Sequence, residues 1–221
     1  RAEKPMTFAE LQAAFKKKPD DADVMARLAG EYIRRNKLAE AKKLAEAALK
    51  QEKGHPLASI ALARLLIRDK DAAGALKLLE ESAKENPDDP RLLLALGKLY
   101  IDKKELAKAA EMYERGRKTA PLDGDWLVDL VRIYTSLKRD AELVAVLREV
   151  VGRDPDDLPA RVKLARLLLK EKPTEAEHFA RDALYIDVMS EPARGLLLDA
   201  LRAQKKDAEA DRIAKRFGSQ D

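Results

Sequence analysis

Residues 90–123 read PRLLLALGKLYIDKKELAKAAEMYERGRKTAPLD, and the fold of the whole chain is decided in this stretch. Leu93, Leu96, Gly97 and Tyr100 fall at the i, i+3, i+4, i+7 spacing of one helix face, and the polar break Asp102-Lys103-Lys104 ends it. A second face follows at Leu106, Ala109, Ala110, Tyr113 and Gly116, and Pro121 closes it because proline cannot continue a helix interior. The stretch reads as a helix, a tight turn and a second helix.

Working outward, the same unit recurs. Pro19-Asp20-Asp21, Pro87-Asp88-Asp89 and Pro155-Asp156-Asp157 stand 68 residues apart, with Pro121-Leu122-Asp123 midway between the last two. Leu28, Leu62, Leu96, Leu130 and Leu164 repeat every 34 residues without a slip. Such a period marks stacked units, each of which buries its apolar face only against its neighbours. Ala29, Ala63, Gly97 and Ala165 on the first helices and Ala41, Ala75, Ala109 and Ala176 on the second keep side chains short. They let paired helices nest toward the near end of the usual separation of about 8–10 Å. Aspartates at the inter-repeat turns cap the helix that follows.

Composition agrees and excludes. The 221 residues include no Cys, two His and 5% aromatics against 38% charged residues. No disulfide, thiolate metal site or Cys nucleophile can form, and His55 and His178 leave little for His-based catalysis or metal binding. Helix formers dominate, so the expected class is all-α. The net charge of +4 divides into +5 over residues 1–110 and −1 over 111–221, with no long basic tail. Bulk charge therefore makes no case for nucleic acid or a membrane surface. The most apolar window, 57–67, is interrupted by Arg64 and is too short to cross a bilayer.

The period of 34 and the order leucine, small residue, large residue or tyrosine, alanine, proline resemble the tetratricopeptide repeat family. The motif stands here as Leu28-Ala29, Tyr32, Ala41 and Ala48; Leu62-Ala63, Leu66, Ala75, Ser82 and Pro87; Leu96-Gly97, Tyr100, Ala109, Gly116 and Pro121. It continues as Leu130-Val131, Tyr134, Leu143, Val150 and Pro155; Leu164-Ala165, Leu168, Ala176 and Ala183; and Leu197-Leu198, Leu201, Ala210 and Phe217. The resemblance implies an all-α, right-handed α-α superhelix: one solenoid domain over 22–217, with units 22–55, 56–89, 90–123, 124–157, 158–190 and 191–217. Residues 1–21 read as a partial repeat or capping helix and 218–221 as a tail. The fifth unit is one residue short, with Pro173 in its internal turn, and Val188-Met189-Ser190 replaces the Pro-Asp-Asp linker. Arg161 and Arg194 stand where the family carries an aromatic, which predicts a looser C-terminal part. Trp126, one place before its slot, is expected to pack.

The resemblance further implies that the second, fifth, ninth, twelfth and thirteenth positions of each unit face the inner surface. The ninth carries Arg64, Lys98, Arg132 and Arg166 in four successive units, and the thirteenth adds Arg34, Arg68 and Lys170. Beside this ladder run apolar positions, Ile60, Leu94 and Val128 at the fifth and Ile67 and Ile101 at the twelfth. These twelve residues are the candidate partner-binding set. The bland alternative has the cations inherited by duplication and neutralised by carboxylates such as Asp69, Asp102 and Asp129.

The leading functional reading is a non-enzymatic scaffold that holds an acidic, partly apolar peptide or helix of a partner protein in a groove, with no catalytic, metal or cofactor site. The second reading is an accessory domain of a longer enzyme or membrane-anchored protein, motivated by the start at Arg1 and the half-repeat over 8–18. Glu177-His178 is only a fragment of a metal motif, and no phosphate loop or nucleophile elbow is present. Single-strand nucleic acid would need stacking aromatics along the ladder, and Tyr32, Tyr100 and Tyr134 hold core slots. A clamp for chaperone-peptide carboxylates, which in the family uses Lys and Asn at inner slots, does not fit an apolar fifth slot and a ninth without Asn. Absence of Cys suits the cytoplasm, which is favoured, and also the periplasm, and terminal units offer a face for self-association.

Overall fold

The computed structural model describes residues 6–121 and 125–218, so Leu122 and Asp123 of the third linker and the tail 219–221 lie outside the described residues. Among the described residues all regular structure is α-helical: α1 Phe8–Lys17, α2 Ala22–Arg34, α3 Leu38–Gln51, α4 Pro56–Arg68, α5 Ala72–Glu85, α6 Pro90–Asp102 and α7 Leu106–Thr119. The remaining helices are α8 Asp125–Leu137, α9 Asp140–Arg153, α10 Leu158–Leu168, α11 Pro173–Ile186, α12 Glu191–Ala203 and α13 Asp207–Gly218. They gather into two compact units, Arg1–Trp126 and Leu127–Asp221. No described helix is long and apolar enough to cross a membrane.

The punctuation does what its chemistry requires. The second aspartate of each Pro-Asp-Asp is an N-cap: Asp21, Asp89 and Asp157 accept hydrogen bonds from Val24 N–H (3.1 Å), Leu92 N–H (3.2 Å) and Ala160 N–H (2.8 Å). His55 substitutes in the first full linker, where its Nδ1 accepts from Ala58 N–H at 3.4 Å. Within units, Asn36, Lys70, Lys104, Lys138 and Lys205 adopt left-handed backbone with φ of 58°, 66°, 62°, 54° and 61°. The residue after each donates its N–H to a carbonyl five positions back, as in Asp71 to Leu66 (2.8 Å) and Glu105 to Tyr100 (2.8 Å), closing the first helix in a Schellman turn. The fifth unit lacks the left-handed residue. Lys172 instead donates to Leu168 at 2.7 Å and Pro173 opens α11, so the one-residue deletion removes one specific turn position.

In the first unit α2 packs on α3, α3 and α2 on α4, α4 on α5, α5 and α4 on α6, and α6 on α7, with α1 against α2. The nesting residues Ala29, Ala41, Ala75 and Ala109 have no exposed surface. Gly97 and Gly116 take the same role under rings: a Cβ on Gly97 would overlap Tyr113, and one on Gly116 would overlap Trp126. Tyr113 and Trp126 meet edge to face with centroids 5.6 Å apart, and Trp126 is 1% exposed, so it packs as expected.

In the second unit α10 packs on α9, α11 and α12, α11 on α12, and α12 on α13. The arginines expected to loosen this end instead tie it down. Arg161, whose side chain is only 12% exposed, pairs with Asp182 at 2.8 Å and donates Nε–H to Pro155 O at 2.9 Å. Arg194 donates to Val188 O at 2.8 Å and lies over the Phe217 ring. A guanidinium thus replaces ring packing with bonds to the preceding linker. Glu177 accepts from Arg181 Nε within α11 (2.9 Å) and ties α11 to the turn after α12 by accepting from Gln204 Nε2 (2.8 Å) and Lys206 Nζ (2.8 Å). Burial would push its carboxyl up, but the bonds from Lys206, Gln204 and Arg181 outweigh burial and hold it at about 2.

Two outcomes follow from this packing. Gly116→Ala should destabilise by about 1–3 kcal/mol, the ordinary cost of overpacking, read by urea denaturation under circular dichroism. Because the Glu177 pKa is depressed from 4.5 to about 2, its network stabilises fully above about pH 4.5 and fades as the pH falls toward 2. Glu177→Gln should flatten that section of the acid unfolding curve, and a curve identical to wild type would remove Glu177 from the account.

Candidate functional site

The first helices of the first unit present one open groove of about 530 Å³. Helical spacing builds it: Leu57, Ile60, Arg64 and Ile67 share a face of α4, and Arg91, Leu94, Lys98 and Asp102 share the matching face of α6. From α2 come Ala26, Arg27, Gly30, Glu31 and Arg34, and Met6 reaches in from before α1. Ala26 is buried, Ile60 and Leu94 are half-buried, and Ile67 remains 42% exposed, so an apolar floor faces solvent.

Charge separates the rim from the centre. Arg27 pairs with Asp23 at 2.5 Å, Arg34 and Arg35 both bond Glu31, and Arg91 pairs with Asp89 at 2.5 Å. The Arg34 hydrogen bond, opposed by burial and helped by Arg35, holds Glu31 below the ordinary carboxylate range. Burial pushes Asp89 up, but the Arg91 hydrogen bond and charge prevail and lower it. Arg64 and Lys98 differ: both are exposed, and among the described residues neither has a carboxylate oxygen within 4.0 Å.

Of the twelve predicted partner-binding residues, Arg34, Ile60, Arg64, Ile67, Leu94 and Lys98 line this groove together. Arg68 and Ile101 belong to the same unit but not to the lining. In the second unit Val128 is 60% exposed, Arg166 and Lys170 are exposed, and Arg132 lies 3.5 Å from Asp129. The carboxylate pairing that the bland reading expects is present at Arg34 and Arg132 and, among the described residues, absent at Arg64 and Lys98. Sequence reasoning missed Met6, Leu57, Arg27 and Arg91; the second slot of each unit, which holds Leu57 and Arg91, was the available signal. Among the described residues no group of three or more His, Asp or Glu side chains is placed to hold a metal ion.

Residues 27–90 and 66–128 match two family models, each described as tetratricopeptide repeat. No curated protein matches the sequence. Among solved structures the chain is similar to YrrB, described as a TPR protein with an unusual peptide-binding site, at 16% identity and TM-score 0.60 over 90% of this chain and 100% of that one. It is similar to PilF of Pseudomonas aeruginosa at 17% identity and TM-score 0.55, over 90% of this chain and 89% of that one. A chain of the Naa15/Naa10 complex bound to HypK-THB gives 16% identity and TM-score 0.57, over 97% of this chain and 34% of that one. At these identities the likeness is one of fold.

Gly30 stands at the ladder's ninth position in α2, where an added Cβ would meet no atom within 4 Å. Gly30→Ala should therefore stabilise by about 0.5–1 kcal/mol through backbone entropy alone, measured by urea denaturation. A loss of stability would mean that the groove wall is closed at this point.

Proposed function

We propose that this chain, whose residues 27–128 match the tetratricopeptide repeat, is a non-enzymatic scaffold whose first unit holds an acidic, partly apolar peptide. Proteins of this family are generally scaffolds for other proteins and not catalysts. The observation that carries the reading is the pair Arg64 and Lys98, exposed and, among the described residues, without carboxylate partners, above the apolar floor of Ile60, Leu94 and Ile67.

Magnitudes divide the work. Covering an Ile or Leu fully contributes about 1.5–3 kcal/mol, whereas an exposed ion pair gives about 0.2–1 kcal/mol. The floor supplies most of the affinity, and the cations select acidic partners and speed their association. Among the described residues no aromatic side chain lines the groove, which disfavours stacked bases as its cargo.

A fluorescein-labelled peptide of alternating Leu and Glu, compared with its Leu and Lys counterpart, tests the reading by anisotropy. The acidic peptide should bind the full chain more tightly, and Arg64→Glu with Lys98→Glu should weaken it about tenfold or more. Equal binding of both peptides, or an affinity unmoved by the double reversal, would discard the groove as an acidic-peptide site.

A further inference from the structure

Arg64 and Lys98 have a spacing, and the spacing specifies the shape of what meets them. Resting on the acidic-peptide reading above, we propose that the groove selects an extended segment in polyproline II conformation with two acidic residues three positions apart.

Arg64 on α4 and Lys98 on α6 occupy the same slot one repeat apart, and α4 packs directly on α6. Packed helix axes lie about 8–10 Å apart, so the two side chains start about that far from each other. A partner that meets both must run across the helices and offer two carboxylates on one face at that separation. A polyproline II segment rises about 3.1 Å per residue with three residues per turn, which puts i and i+3 on one face about 9.3 Å apart. A β-strand shows same-face residues at about 6.6 Å or about 13 Å and misses the interval on both sides. A helix reaches it only at i+7, about 10.5 Å, which takes two turns.

The apolar floor repeats the same interval. Ile60 and Leu94 each precede their cation by four residues, forming a second row parallel to the first. A segment with threefold periodicity meets that row with a second of its faces, so the recognised pattern is acidic, apolar, any, acidic, apolar. On α2 the corresponding slots hold Gly30 and Ala26, which add no cation, so the motif contains two acids and not three.

The test is a set of short fluorescein-labelled peptides titrated into the full chain by anisotropy. Proline-rich members carry a Glu pair two, three or four positions apart, and a helix-forming, Ala-rich member carries the pair seven apart. The three-spaced peptide should bind tightest, about fivefold over its two- and four-spaced relatives, and Lys98→Gln should erase that preference while leaving weaker binding. Equal affinities at every spacing, all lost on reversal of Arg64 and Lys98, would overturn the register and leave the acidic groove standing. Tightest binding by the seven-spaced helical peptide would overturn the extended occupant. If no peptide binds, or the reversal changes nothing, the underlying groove reading fails with it.

Discussion

The close approach of paired helices at residues with little or no side chain is the constraint on which the rest depends. Ala29, Ala41, Ala75, Ala109, Ala165 and Ala176 are fully buried, and Gly97 and Gly116 leave room for the rings of Tyr113 and Trp126. Where backbones come this near, the large residues interdigitate beside them, and each helix pair leans on the next instead of enclosing a core of its own. One face of each first helix is then left over, and in the first unit that face forms the groove. Enlarging a nesting residue would spread the helices, and with them the spacing of the side chains they display.

Which cations are free to act is settled within single helices. Arg34 has Glu31 three residues before it and Arg132 has Asp129, and both are paired. Three and four residues before Arg64 stand Ala61 and Ile60, and before Lys98 stand Ala95 and Leu94. A cation with an acid one turn earlier is neutralised on its own helix surface, whereas one preceded by apolar residues is left to solvent or to a partner. Duplication supplied equal slots, and the neighbouring residue made them unequal.

The repeat was readable from sequence because every unit reuses one packing solution, so each leucine, alanine and capping aspartate is reported several times over. Half of the candidate site was readable for the same reason, since slot numbering placed Arg64, Lys98, Ile60 and Leu94 on one face. What escaped depends on conformation that residue type does not announce. Lysines at 70, 104, 138 and 205 hold left-handed backbone, a position more often given to Gly or Asn, and nothing in their identity marks it. Arg161 and Arg194 looked like lost aromatics, yet their guanidinium groups bond carbonyls of the preceding linker, contacts that slot comparison across units does not register. Arg27 escaped because it stands outside the slots taken to face inward.

Within each compact unit, the bonds that stitch one repeat to its neighbour are short in sequence. Asn86 reaches back to Gly54 across 32 positions, Arg181 to Glu209 across 28 and Thr174 to Gln204 across 30. A chain whose cross-links are this local never has to close a long loop before contacts repay the lost entropy. Folding can begin wherever one helix pair finds its neighbour and spread in either direction, and a chain leaving the ribosome can start to assemble its groove before its last helices exist.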